Sequence, residues 1–249
     1  MSQINNLNIP KIIGHRGVKN LAPENTLISI LEAIKIGLKW VEVDVKISRD
    51  EIPFLLHDSS LNRTTNGFGE ANSYNYSEIK KLDAGKFFYK KNTNIYPPTL
   101  KEVLNLCNDH SIGLNIELKP NSGFEKLNVQ KVLEITKEFE KKVPIFYSSF
   151  DIESCISVKQ INPKAHCGIL IDNCDIENLL RLINKYNFFS CGFHIKCFST
   201  KLVKTLKKNN IFATVYSHQN ITHDEASELW KLGIDSIFSD DPKNLLISN

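Results

Sequence analysis

The stretch Trp40-Val41-Glu42-Val43-Asp44-Val45 decides the fold. Side chains alternate along a strand, so Val41, Val43 and Val45 share one face, and Glu42 and Asp44 share the other. The valine face has to be covered. The carboxylate face is ordinary surface charge if it meets solvent. If it looks into a barrel, it demands a counter-charge, because a buried unpaired carboxylate is prohibitively unfavourable. A hard divalent cation is the natural partner for such oxygens.

Working outward, short apolar runs of the same kind recur at residues 11–14 (KIIG), 113–118 (GLNIEL), 144–148 (PIFYS), 165–171 (AHCGILI), 190–195 (SCGFHI), 211–216 (IFATVY) and 235–239 (DSIFS). They have the length and β-branched or aromatic content of buried parallel strands. Helix-like stretches separate them. Residues 24–36 put Leu27, Ile30, Leu31 and Ile34 on one face, and Gly37 follows as a C-terminal glycine. Residues 129–141, 152–160, 176–185, 200–208 and 224–232 also read as helices, with Ser199 or Thr200 and Thr222 as caps and Gly233 as a stop. About eight strand–helix units in a chain of this size predict an α/β fold, a (β/α)8 TIM barrel forming a single domain over 1–249. A doubly wound open sheet is the alternative.

One stretch breaks the rhythm. After the second strand, Ser48-Arg49-Asp50-Glu51 turns into residues 52–57, which predicts a hairpin. Residues 58–99, rich in Asn, Ser, Thr, Gly and Tyr, then predict an insertion over the C-terminal mouth. Its aromatics Phe68, Tyr74, Tyr76, Phe87, Phe88 and Tyr89 are expected to pack on the barrel, although the last three are contiguous and suited to touching lipid.

Composition narrows the class. The chain has 249 residues, 41% of them hydrophobic, enough for a sizeable core. A net charge of +3 with no basic cluster argues against a nucleic-acid partner. No run approaches the ~18 apolar residues of a membrane span, so no stable membrane anchor is expected. No secretory pattern opens the sequence, and Cys107, Cys155, Cys167, Cys174, Cys191 and Cys197 show no CxxC pair. These features predict buried thiols and a cytoplasmic location.

In such a barrel, chemistry sits at the C-terminal strand ends. The first strand ends in Gly14-His15-Arg16-Gly17, pairing a proton-transfer group with a planar fork suited to phosphate. Glu117 and Lys119 share one side of the third strand, as a further oxygen ligand and an anion holder, or as an internal ion pair. His57, at the end of the hairpin, reaches the same mouth. Two histidines near one metal can divide the general base and general acid roles.

Together these residues resemble the glycerophosphodiester phosphodiesterase family. The matching elements are His15-Arg16-Gly17, Pro23-Glu24-Asn25-Thr26, Glu42-x-Asp44, His57-Asp58, Leu61-Asn62-Arg63-Thr64-Thr65-Asn66-Gly67, Pro98-Thr99-Leu100-x-Glu102-Val103-Leu104, Glu117-x-Lys119, Ser149-Phe150 and Ile237-Phe238-Ser239-Asp240-x-Pro242. They span nearly the whole chain, in the family's order. The resemblance implies Mg2+ or Ca2+ held by Glu42, Asp44 and Glu117, His15 and His57 as the acid–base pair, and Arg16 and Lys119 on the phosphate. It implies a small-molecule glycerophosphodiester as substrate, with sn-glycerol 3-phosphate and an alcohol as products. Phe150 and Tyr216 are candidates for a substrate wall. Where the family often has aromatic-Thr-Val-Asn, this chain has Tyr216-Ser217-His218-Gln219, with Gln219 in place of the asparagine. A lysophospholipase D acting on single-chain lipids is the nearest rival reading, and a barrel that binds phosphodiesters without turning them over is the more distant one.

Overall fold

A computed structural model describes residues 7–172 and 176–246. The chain runs β1 (Ile12–Gly14), α1 (Leu27–Lys35), β2 (Trp40–Ile47), β3 (Pro53–Leu55), α2 (Tyr76–Ile79), α3 (Lys86–Tyr89), α4 (Leu100–Asp109), β4 (Gly113–Leu118), α5 (Glu125–Thr136), β5 (Ile145–Ser149) and α6 (Ile152–Ile161). It continues through β6 (Cys167–Ile171), α7 (Ile176–Tyr186), β7 (Ser190–His194), α8 (Thr200–Lys208), β8 (Phe212–Tyr216), α9 (His223–Lys231), β9 (Ser236–Ser239) and α10 (Lys243–Leu246). The sheet order is β1-β9-β8-β7-β6-β5-β4-β2, and β1 pairs with β2 to close it. All pairings within that ring are parallel, so the fold is the expected (β/α)8 barrel and the open sheet is excluded. The hairpin is present too: β3 pairs antiparallel with β2, Val45 opposite Leu55.

The period of two explains how the barrel is filled. Val41, Val43, Val45, Leu114, Ile116 and Leu118 join the apolar layer between strands and helices. The alternate positions face inward. At the N-terminal end Ile13, Trp40, Phe146, Phe189, Phe212 and Phe238 make an aromatic plug, with Phe189 and Phe212 stacked at 5.5 Å. A side chain on Gly113 would strike the Trp40 ring, so the bare backbone of β4 makes room for the indole. Beyond the plug, towards the C-terminal end of several strands, the inward positions carry the side chains of the mouth. Ile13 leads to His15, Trp40 to Glu42 and Asp44, Asn115 to Glu117 and Lys119, Phe146 to Ser148 and Phe150, and Phe238 to Asp240.

Element ends differ from the expectations in instructive places. The first helix begins at Leu27, not residue 24, because Asn25 takes a left-handed φ of 55° and Thr26 caps the helix by accepting from Ser29 N. The helix expected over 129–141 runs instead from Glu125 to Thr136. It ends there because Phe139 turns into the core, its N–H donating to Thr136 O. Helix α4 leads into β4 and is closed at His110. Its signal is the capping box of Thr99 and Glu102, in which each side chain accepts the other residue's backbone N–H. Thr99→Ala is expected to destabilise the protein by about 1 kcal/mol, read as a melting-temperature drop of about 2–4 °C.

The insertion corrects one expectation. Tyr74 and Tyr76 pack against the small cluster of Phe54, Leu56, Leu61, Ala71 and Ile79. Phe68, Phe87, Phe88 and Tyr89 do not pack on the barrel and are exposed. Cys107, Cys155, Cys167, Cys191 and Cys197 are buried, while Cys174 lies outside the described residues. Burial pushes the Cys107 and Cys191 thiols up to about 12, which disfavours the reactive thiolate. Among the described residues no helix is long and apolar enough to cross a membrane.

Candidate active site

Three carboxylates stand at the bottom of the C-terminal mouth. Glu42, Asp44 and Glu117 each offer a ligand oxygen, and these oxygens lie within 4.8 Å of one another. Asp44 is fully buried, and Glu42 and Glu117 are 2% and 6% exposed. Glu42 Oε1 and Asp44 Oδ1 meet no hydrogen-bond donor. Burial, with Asp44 and Glu117 beside it, pushes the Glu42 carboxyl well above the usual range. Burial also lifts Glu117, to about 7, against the pull of Lys119. For Asp44 burial is outweighed by Arg16, Lys119 and His57 and by a hydrogen bond from Asn25, which together hold it at about 2. Clustered, desolvated, oxygen-only donors with unpaired lone pairs fit a hard divalent cation, and the protein's own cations neutralise them only in part.

Those protein cations come from two strands. Arg16 reaches the trio through Nε, 3.3 Å from Asp44 Oδ2, and its backbone N–H donates to Glu42 Oε2 at 2.9 Å. Arg16 has a left-handed φ of 51° and Gly17 one of 79°. A side chain on Gly17 would collide with Ser29, so this tight turn requires glycine. Lys119 Nζ sits 2.5 Å from Glu117 Oε1 and 3.7 Å from Asp44 Oδ1, so the internal ion pair expected as the bland reading is present. The same ammonium lies 5.0 Å from the Phe150 ring centroid.

The two histidines flank the trio, and each is oriented by a carboxylate. His15 Nδ1 lies 2.6 Å from Asp240 Oδ1, whose other oxygen meets Lys19 Nζ at 3.0 Å. His57 Nδ1 lies 2.7 Å from Asp58 Oδ1. A carboxylate on Nδ1 assigns the proton to that nitrogen and leaves Nε2 to exchange protons. His15 Nε2 is 3.9 Å from Glu42 Oε2. Burial depresses both imidazoles below the ordinary histidine value, with Asp240 opposing the shift at His15 and Asp44 opposing it at His57.

A continuous chain of ion pairs links the two sides. Arg63 grips Asp58 through Nε and Nη2 at 2.7 and 2.9 Å. It also grips Glu24 through Nη1 and Nη2, both at 2.8 Å. Glu24 in turn accepts from Arg16 Nη1 at 2.8 Å. Glu24, Asn25, Arg63 and Asp240 stand within the motifs, where local pattern assigns them no role. The structure shows them orienting Arg16, Asp44, His57 and His15. Asn25 holds Asp44 twice, donating through Nδ2 to Oδ2 at 2.8 Å and accepting the Asp44 N–H at 3.0 Å. Lys46, next inward residue after Asp44, was also missed. Its ammonium donates to Lys119 O and Asn121 Oδ1, and burial beside Lys119 lowers it to about 8.

One pocket gathers the predicted side chains. His15, Arg16, Glu42, His57, Glu117, Lys119, Phe150 and Tyr216 all line it, with Asp44 beneath. Phe150 and Tyr216 form an edge-to-face corner at 5.6 Å, and Tyr216 OH donates to Ile171 O. His218 lines the pocket as well, its ring 4.7 Å from that of His194. Gln219 is exposed, whereas Asn220 takes up the polar work at this corner. Asn220 accepts from Ser239 Oγ and Asp241 N and donates to Asp241 O.

Comparison with known proteins agrees with this geometry. The model of the glycerophosphoryl diester phosphodiesterase family matches residues 15–244. A glycerophosphodiester phosphodiesterase of Caldanaerobacter subterraneus is 30% identical over 237 residues, covering 94% of this chain and 96% of the relative. One from Bacillus altitudinis is 28% identical, covering 93% and 95%. Among solved structures, an Oleispira antarctica phosphodiesterase in complex with the product sn-glycerol-3-phosphate superposes with a TM-score of 0.90. It is 31% identical and covers 97% of this chain and 98% of its own.

Proposed function

Because the chain belongs to the glycerophosphoryl diester phosphodiesterase family and is a phosphoric diester hydrolase, we propose that it cleaves glycerophosphodiesters to sn-glycerol 3-phosphate and an alcohol. Residues 1–249 act as one catalytic domain in this reading, with 58–99 as its insertion and the cytoplasm as its location. The observation that carries it is the convergence of three buried carboxylates, two carboxylate-oriented histidines and the side chains of Arg16 and Lys119 on one pocket. The product bound in the Oleispira protein supports the choice of substrate class.

Glu42, Asp44 and Glu117 would hold the divalent cation, Mg2+ or Ca2+. Bound there, the ion would supply Lewis-acid stabilisation of the charge that develops on the phosphodiester. Arg16 and Lys119 take the remaining phosphate oxygens, Arg16 through a guanidinium that Glu24 and Asp44 already orient. One histidine removes the proton of the attacking hydroxyl through Nε2, and the other returns a proton to the leaving alcohol. The attacking oxygen is either the substrate's own 2-hydroxyl or water, and a trapped cyclic glycerophosphate distinguishes the two. Phe150 and Tyr216 form the wall on which the rest of the substrate lies.

The deciding assay is release of glycerol 3-phosphate from glycerophosphocholine with Mg2+ or Ca2+ and then with EDTA. Release that disappears with chelation supports the proposal, and no release with any divalent ion overturns it. One observation keeps the lysolipid reading in view. Phe150 and Leu170 are shared between the pocket and a neighbouring groove of mixed character, lined by Ile152, Leu179 and Leu182 and by Asp172 and Asn178. Faster turnover of lysophosphatidylcholine than of glycerophosphocholine would favour it.

Asn25→Ala removes both restraints on Asp44 while leaving the carboxylates in place. It is expected to weaken divalent-cation affinity by roughly 10–100-fold, measured by calorimetric titration of the metal-free protein.

A further inference from the structure

The insertion carries a surface that the catalytic reading does not use. Phe87, Phe88 and Tyr89 of α3 are 53%, 41% and 40% exposed, and Phe88 and Tyr89 meet edge to face at 5.0 Å. Phe68, 78% exposed, follows a segment that is tied to the residues leading into α3. Its neighbour Gly67 lies against Leu82, and Asn66 exchanges hydrogen bonds with the backbone of Asp83. Contiguous exposed aromatics of this size mark an interaction site.

Charge identifies the partner, and here the expectation of no basic cluster fails. Residues 80–92 hold five lysines, Lys80, Lys81, Lys86, Lys90 and Lys91, against one acid. That acid, Asp83, is buried and satisfied by Gly85 N at 2.9 Å and by Thr93. Lys80 approaches Glu102 at 3.9 Å, whereas Lys81, Lys86, Lys90 and Lys91 have no carboxylate partner among the described residues. Lys90 closes α3 in a left-handed conformation, turning the chain straight from the aromatic residues into the lysine pair. Aromatic rings favour the headgroup boundary of a bilayer, and lysines beside them favour anionic headgroups. The patch also lies on the catalytic side of the molecule. Ala84, two residues before α3, shares a small cavity with His57, Glu24 and Thr64.

We propose that α3, Phe68 and the lysines around them dock reversibly on an anionic phospholipid surface. The rings enter the interface, the lysines pair with lipid charge, and the pocket is held close to the membrane.

Flotation with phosphatidylcholine vesicles, with and without phosphatidylglycerol, tests this on the full chain. Binding is expected only to the vesicles containing phosphatidylglycerol, and it falls as salt rises. Lys90→Glu/Lys91→Glu and, separately, Phe87→Ser/Phe88→Ser are each expected to lower vesicle affinity by at least about tenfold. Hydrolysis of soluble glycerophosphocholine and the melting temperature should be unchanged in both. Equal binding to both vesicle types, binding that survives both variants, or no binding overturns the proposal. So does concentration-dependent self-association that the phenylalanine variant abolishes, which would assign the patch to a second copy of the chain.

Discussion

Glu42→Gln is expected to lower hydrolysis of glycerophosphocholine by about 10²–10³-fold or more while raising the melting temperature of the metal-free protein. The two effects have one cause. Glu42 stands among carboxylates whose oxygens lie within 4.8 Å, its Oε1 without a donor and its proton affinity raised by burial and by Asp44 and Glu117. A glutamine keeps an oxygen for the Arg16 N–H and turns an amide donor toward the remaining carboxylates. Replacing a poorly compensated buried charge in this way gains about 1–3 kcal/mol, or roughly 2–12 °C in a chain of this length. The cation reverses the ranking. A divalent ion at 100 times its Kd should stabilise the wild type by about 2.7 kcal/mol and the variant much less. Melting curves with EDTA and with Mg2+ or Ca2+, beside the activity assay, check both halves. A variant that is less stable without metal, or that remains active, would remove the carboxylate trio from the centre of the mechanism.

His15→Ala and His57→Ala should each reduce kcat by about 10²–10⁴-fold with little change in KM. Because the two groups act in one proton-transfer sequence, the double variant should lose far less than the product of the single losses. Leaving-group chemistry assigns the roles. A p-nitrophenyl ester needs no proton on departure, so the variant lacking the general acid should recover most of its rate on that substrate, while the variant lacking the base should not. Asp240 and Asp58 hold the two rings through Nδ1, and their asparagine variants should show smaller losses in the same pattern. Near wild-type kcat in both histidine variants would exclude the paired-histidine mechanism.

Much of this site was legible because a strand's period of two is strict. Glu42 and Asp44, and then Glu117 and Lys119, could be placed on shared faces from spacing alone, and the parallel register sets Asp44 beside Glu117. The motifs held more than their reading extracted. Arg63 and Glu24 are 39 positions apart, so nothing local links them, yet they close the chain of ion pairs from Arg16 to His57. Asp240 is separated from His15 by 225 positions and reaches it because β9 pairs with β1. The start of helix α4 is likewise written in the capping box of Thr99 and Glu102.

The sequence by itself determined the alternation of strand and helix, the hairpin after the second strand, and the residue types gathered at the strand ends. These follow from local periodicity and turn chemistry, which act over a few residues. Only the tertiary structure decided that two oxygens of the carboxylate trio lack a hydrogen-bond donor, that His15 is oriented by Asp240, and that Phe87, Phe88 and Tyr89 face solvent. The reason is physical. An aromatic run reads the same whether packed or exposed, and a carboxylate's partner is chosen by closure of the barrel, which brings distant strands into register.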